Sequence, residues 1–478
     1  MYFIVSAGKL DRYLVDTVFC GGPGTIVPVA IKKTTSKPME LDPDNAYVRV
    51  DRSRAYVALE HYAAASNDLR EAVAADYDER LSQLFIHFHQ NPELPNFEFQ
   101  TAARLAAELR ALGYEVAEGV GGTGVVAVLE NGAGPTVLFR ADMDGLPVKE
   151  DTGLSYASTA TQVDADGVEK PVMHACGHDV HITALVGTAR QMVERRDQWS
   201  GTLVLIGQPA EERISGARAM MEDGLFERFP KPDYALAFHV SAGDPAGKVI
   251  VPQHVVASSS DSVDIIVHGV GAHGAAPHKG VDPVLVASQI VVSLQSIVSR
   301  NIGPLESGVI TVGAIRGGTK HNIIGDRVEL QLTVRSDTPE VREQLLDGID
   351  RVAAGVALAM GVPADLMPEV IRSPVETTPP TLNDPATARR VLDAIAANMG
   401  EEYLWEDVRQ GMGAEDFAYF VQPETGVKGV YFSVGGTPEE ELGNEPSHHS
   451  PFFKVEPGPS IRSGVEASVI ATLALFGE

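Results

Sequence analysis

Cysteine is nearly absent: among 478 residues there are two, Cys20 and Cys176. Two thiols so far apart permit one bridge at most. That excludes a disulfide-stapled scaffold and leads to the expectation of a reducing, cytoplasmic setting. Long apolar runs are also missing. No stretch of about 18 consecutive apolar residues occurs, so no membrane-crossing helix is expected. The start, MYFIVSAGKLDR, has too short an apolar segment for a signal peptide and no basic region ahead of it. Positive charge is scarce: 38 Lys and Arg face 65 Asp and Glu, a net charge of −27. This argues against nucleic acid and membrane as partners, because both recruit a basic face. The G-x-S-x-G elbow of nucleophilic serine hydrolases does not occur.

What is present reads as a two-unit α/β chain. Single cores usually stop growing near ~250–300 residues, so more than one domain is expected. Residues 1–70 carry strand-like pieces, Thr25–Ile31 and Tyr47–Val50, without a motif, and form an extension of unknown role. A helical stripe of Leu69, Val73, Leu81, Leu84, Phe85 and Phe88 then covers Asp68–Gln90. Apolar strands alternate with helices up to about residue 257, the signature of a mixed, mostly parallel sheet covered on both faces. At ASSSD the pattern changes. Residues 258–370 follow a β-α-β-β-α order, expected to form an inserted, ferredoxin-like α+β lid and dimerisation domain. Residues 371–478 return to the first unit, so the catalytic domain is expected in two parts, 71–257 and 371–478.

The chemistry concentrates in HACGHDVH, residues 174–181, with three histidines, a cysteine and an aspartate. Cys176 and His178 precede a helix, whose start would favour thiolate, as would a cation. Other metal-capable groups fall at predicted strand ends: Asp142 and Asp144 in RADMDGLP, Glu211 and Glu212 in QPAEE, His239 in AFHV. Carboxyl ends of strands form the ligand crevice of open α/β sheets. Adjacent glutamates suit a division of labour, one binding metal and one moving protons. A pair, His448 and His449, stands between Pro446 and Pro451. From the residues alone, His174 and His181 are as compatible with support as with ligation, and either member of 448–449 with a surface loop.

RADMDGLP, HACGHDVH, QPAEE, AFHV, GAHGAAPHKGVDP, HNIIGDRVEL, GMGAEDFAYF and HHSPFF occur in this order from about Leu81 to the C-terminus. The set resembles the aminoacylase-like dinuclear-metal amidohydrolases: hippurate hydrolases, auxin-conjugate hydrolases and N-acetyl-diaminopimelate deacetylases, related to carboxypeptidase G. The resemblance implies two divalent ions (Zn, Mn, Co or Ni) held by Cys176, His178, Glu212, His239 and His449. It implies Glu211 as general base and Asp144 as the acid steadying the site. It places His273 and Asn322 on the lid, holding the substrate's carbonyl or carboxylate, with the lid histidine able to serve a neighbouring subunit. The implied activity is hydrolysis of the amide of N-acyl amino acids by a homodimer or higher homo-oligomer. The alternative on the same scaffold is a carboxypeptidase or dipeptidase. Two departures stand out. Asp142 occupies the position of a metal-binding histidine in the wider peptidase set, and Arg213-Ile214-Ser215 replaces the glycines that usually follow the paired glutamates.

Gly269-Val-Gly271-Ala-His-Gly274 matches GxGxxG, but Pro277 and Pro283 interrupt where a nucleotide-binding helix would open. A non-catalytic, metal-stabilised binding protein would have no use for a spare glutamate at 211.

Overall fold

The computed structural model describes residues 67–477 except 407 and 410, together with three short strands, Tyr2–Ser6, Thr17–Gly22 and Thr25–Ala30, paired antiparallel. The strand-like piece Tyr47–Val50 lies outside the described residues.

The main sheet has seven strands, ordered Val249–Ile250, Lys428–Thr437, Tyr234–Pro245, Thr136–Asp142, Gly201–Gln208, Gly124–Asn131 and Glu115–Val120. The four from Lys428–Thr437 to Gly201–Gln208 run parallel; the pairings outside them are antiparallel. Alternation of apolar strand and helix reveals the parallel core. It does not distinguish Gly124–Asn131, equally apolar, whose antiparallel pairing follows from the short connections on either side. From Thr136–Asp142 the next parallel strand lies on one side and the one after it on the other. This reversal opens a crevice at the carboxyl ends of Thr136–Asp142 and Tyr234–Pro245.

Helices cover the sheet. His178–Glu194 is buried almost all round, between the sheet and the last helix, Pro457–Phe476, which explains why neither shows a polar stripe. The expected helix 68–90 starts at 67 and contains a π-turn, Tyr77–Leu81, ahead of Ser82–Gln90. Leu69 sits in the main core with Val73, so the body of the catalytic domain begins before residue 71. Phe99–Ala111 stops at Gly113, whose φ of 89° lets Tyr114 N–H return to the Leu109 carbonyl.

The inserted unit is a four-stranded antiparallel sheet ordered Gly308–Gly317, Arg327–Ser336, Ser260–His268, Glu369–Thr378. Helices Pro283–Arg300 and Pro339–Ala359 cover it, with a core separate from the main one. The sequence reading ends this unit at 370. That boundary moves to Thr378, because Glu369–Arg372 and Thr377–Thr378 both pair with Ser260–His268, on either side of a bulge. As an edge strand with mostly exposed side chains, it lacks the apolar alternation that would reveal it. Helix Pro283–Arg300 is long and apolar enough, by length and composition, to cross a membrane, although Ser288, Gln289, Ser293, Gln295 and Ser296 interrupt its apolar residues. In this fold it lies on the lid sheet through Val286, Ala287, Ile290, Leu294 and Ile297.

Candidate metal centre

The crevice collects side chains from five places. Asp142 ends its strand and Asp144 follows it; Glu211 and Glu212 follow Gly201–Gln208; His239 lies within Tyr234–Pro245. Cys176 and His178 flank Gly177, the cap of helix His178–Glu194. Gly177 is required there twice over: its φ is 87°, and a Cβ would stand 2.3 Å from Val240 Cγ1. His448 and His449 enter from the loop before the last helix, with His449 at φ 67° and its N–H bonded to the Ala175 carbonyl.

Cys176 Sγ lies 3.4 Å from His239 Nε2, and Glu212 Oε2 lies 3.3 Å from His449 Nε2. Two ligands of one tetrahedral ion bound through S and N would be separated by roughly 3.5 Å, given bonds of about 2.3 and 2.0 Å. Donor atoms of Cys176, His178 and His239, of Cys176, Glu212 and His449, and of His178, Glu211 and Glu212 each converge within 4.8 Å. Both ring nitrogens of His178 and Oε1 of Glu212 are buried without a hydrogen bond, the condition of donors that a cation would satisfy. His239 donates Nδ1–H to the Val240 carbonyl at 2.7 Å, which leaves the Nε2 lone pair facing Cys176.

Two of the other histidines, His181 and His448, are occupied. His181 accepts from Val240 N–H at Nε2 (2.8 Å), so Nδ1 carries the proton given to Asp142 at 2.5 Å. His448 accepts from Ala242 N–H at Nε2 (3.0 Å) and turns Nδ1 to Cys176 Sγ at 3.6 Å. His174 is buried with neither nitrogen bonded.

Asp144 organises the glutamate turn. It accepts the backbone N–H of Glu211 (3.1 Å) and Glu212 (3.0 Å) and faces His178 Nδ1 at 3.3 Å. Glu98, fully buried, holds the same turn from below by accepting Ala210 N–H and Thr123 Oγ. Beneath lies a network that sequence reading missed. Arg140, with no exposed surface, bonds Asp142 (2.6 Å), Glu415 (2.9 Å) and Gln208 (2.8 Å), with Asp416 at 3.4 Å. Tyr431 donates to Glu415, and Gln208 and the Ala217 N–H donate to Asp416. A charged residue at the end of an apolar strand was the available signal for Arg140, and the acidic pair in GMGAEDFAYF the signal for Glu415 and Asp416.

The electrostatics describe a site short of positive charge. Burial opposes the cation at His178, but Asp142, Asp144 and Glu212 outweigh it and raise its pKa to about 10. Burial, then Glu415, Glu212, Asp416 and Asp142, push Glu211 well above the usual carboxylate range. Burial and the carboxylates Glu212, Glu211 and Asp142 also push the Cys176 thiol up. This reverses the lowering expected from the helix start. Thiolate there requires a cation, because desolvation and nearby anions outweigh the partial charge of one helix end.

Two of the anticipated residues are not brought to the cluster. His273 and Asn322 are exposed on the lid, at the short ladder Ala272–His273 with Ile323–Ile324, where His273 Nδ1 accepts from Ala275 N–H. His273 pairs with Ile323, and Gly274 N–H bonds the Asn322 carbonyl at 2.9 Å, so their place is set by the lid and not by the crevice.

The profile of Peptidase family M20/M25/M40 matches residues 138–467, most of the chain and every converging residue above. The chain belongs to this family. Among M20 relatives, it is 35% identical over 390 residues to Thermostable carboxypeptidase 1 of Saccharolobus solfataricus, covering 81% of this chain and 92% of that one. It is 38% identical over 335 residues to the hippurate hydrolase of Campylobacter jejuni, covering 70% and 83% respectively. The Bacillus subtilis YXEP protein, described as a dinuclear metal binding peptidase of the M20 family, superposes with a TM-score of 0.68 at 27% identity, over 85% of this chain and 99% of that one. The M20 fold and a cluster of metal-capable residues are thus common ground between this chain and a dinuclear-metal relative.

Proposed function

We propose that this M20 protein hydrolyses the amide bond of N-acyl amino acids. The observation that carries the reading is a buried carboxylate, Glu211, beside converging donors that lack hydrogen bonds. Cys176, His178, Glu212, His239 and His449 would hold two divalent ions, and the mixed S, N, O set suits Zn, Mn, Co or Ni. When bound, such ions lower the pKa of water toward ~7 and polarise the scissile carbonyl. Glu211 takes the proton of the attacking water and delivers it to the leaving amine. Asp144 fixes the Glu211–Glu212 backbone and the His178 ring, so base and ligands keep one spacing. His273 and Asn322 belong to a closed lid or a neighbouring subunit, where they meet the substrate's carbonyl or carboxylate. The relatives named hippurate hydrolase and N-acetyl-L-cysteine deacetylase support this substrate class.

The test is Glu211→Gln in metal-loaded protein. Turnover of N-acyl amino acids should fall by about 10²–10⁴ while metal content stays near wild type. Near-normal kcat in the variant removes Glu211 from the mechanism. The relative named carboxypeptidase favours a second reading, peptide hydrolysis. Dipeptides and N-benzoyl or N-acetyl amino acids assayed side by side decide between the two.

A further inference from the structure

Next to the centre lies a cleft of about 350 Å³, within the range of small-ligand sites. Its catalytic-domain wall is Asn96 and the turn Glu212, Arg213, Ile214, Ser215; its lid wall includes Ser260, Ser262 and Glu376. Arg213 is the one cation in this lining, and it has neither a hydrogen bond nor an ion pair among the described residues. Two carboxylates, Glu212 and Glu376, share the lining with this exposed guanidinium in a chain of net charge −27. Carboxylates abound nearby, yet none is placed to neutralise it.

The backbone keeps Arg213 at the cleft. The turn Glu211–Arg213 is entered through Ala210 at φ 47° and left through Ile214 at φ 51°. Ile214 N–H bonds the Glu211 carbonyl at 2.6 Å and Ser215 N–H the Ala210 carbonyl. Left-handed backbone at a β-branched residue is a genuine outlier, and such outliers persist only where the surroundings impose them. One end of this turn carries the paired glutamates, so its other end stands at a set distance from the reacting centre. A guanidinium presents a planar fork that matches a carboxylate.

We propose that Arg213 is a specificity-determining residue that binds a carboxylate of the substrate in this cleft. The proposal rests on the amide-hydrolase reading for the identity of the substrate, and on the cleft alone for the anion. Two carboxylates could fill the role: the α-carboxylate of the amino-acid half, or a terminal carboxylate on the acyl half. Glu376, across the cleft, would oppose either, so its removal should act in the opposite direction to removal of Arg213.

The experiment uses metal-loaded protein and four probes: N-butanoyl-alanine, its α-carboxamide, N-succinyl-alanine, and the α-carboxamide of N-succinyl-alanine. A charge-assisted hydrogen bond corresponds to about a ten- to hundred-fold change. Arg213→Gln should weaken, by that factor, every probe carrying the recognised carboxylate, chiefly in KM. Probes lacking it should be unchanged. If the loss follows the amino-acid carboxyl, that group is the partner; if it follows the succinyl carboxyl, the acyl half is. Glu376→Gln should tighten the same probes. Binding of all four is also read by calorimetry in a Glu211→Gln background. Absence of turnover in the wild type therefore overturns the amide-hydrolase reading while the carboxylate contact is still scored by affinity. Equal effects of Arg213→Gln on all four probes, or no effect on any, overturn the proposal. So does failure of all four to bind the metal-loaded protein.

Discussion

Arg140 shows how much of the centre rests on residues that touch no substrate. It is fully buried and its guanidinium meets Asp142, Glu415 and Asp416, three carboxylates that would otherwise share a low-dielectric interior. Replacing it by Met keeps the volume and removes the charge. Breaking a buried ion pair from one side costs about 3–5 kcal/mol, so Arg140→Met should lower stability by that amount in chemical denaturation. The family motif around Asp142 and Asp144 is legible from the chain, but the partner that keeps Asp142 ionised is not. Glu415 is 275 positions away in sequence from Arg140. His89 is a second such case. Burial lowers its pKa, but hydrogen bonds to Asp179 and Glu150 outweigh this and raise it to about 9. A histidine raised above its unfolded value near ~6.5 stabilises fully below that pH and loses the contribution as pH rises through about 9. The same hydrogen bonds hold Asp179 and Glu150 below their usual range, against burial, so their share is lost in acid. Wild-type stability should therefore fall between pH 6.5 and 9 by on the order of 3 kcal/mol more than that of His89→Gln. Parallel curves for the two proteins would show that His89 is not charged in the fold.

At the scale of elements, the start of helix His178–Glu194 couples packing to chemistry. Gly177 turns the chain so that Cys176 and His178 face the crevice together, and Val240 packs into the space a side chain would take. Gly177→Ala adds a left-handed alanine and an overpacked methyl. It should cost about 2–4 kcal/mol. Metal affinity should fall in the same variant, measured by titration, because both donors ride on that turn. The density of HACGHDVH announces chemistry from sequence alone. Which of its histidines are free to bind does not follow from spacing. His178 and His181 are three residues apart on one helix, yet backbone N–H of Val240 occupies His181 and leaves His178 unbonded. Similarly, His448 and His449 are neighbours, and only the loop conformation turns His449 toward Glu212 while Ala242 N–H holds His448.

For the whole molecule, the catalytic sheet and the lid have separate cores. The candidate ligands belong entirely to the catalytic unit. Chelation should therefore abolish activity and lower the melting temperature of that unit by about 5 °C or more, given a site filled to about 100 times its Kd. A transition from the lid core should stay in place, and metal addition should restore both activity and the shifted transition. Calorimetry with and without chelator measures this. A chelator that abolishes activity yet shifts neither transition would place the ions outside the folded ligand set described above.

The sequence by itself determined the element types, the insertion of one unit in another, and which metal-capable residues the crevice gathers: Cys176, His178, Glu211, Glu212, His239 and His449. Periodicity and residue chemistry are local properties, and the family's motifs are short. It misjudged the far edge of the lid, because an exposed edge strand has no buried face to mark it. Tertiary structure decided the rest: the antiparallel flanks of the sheet, the carboxylates gathered under Arg140 and, among the described residues, the free and occupied histidine nitrogens and the unpaired guanidinium of Arg213. Each depends on which distant groups share a low-dielectric space, and that is set only when the strands take their order in the sheet.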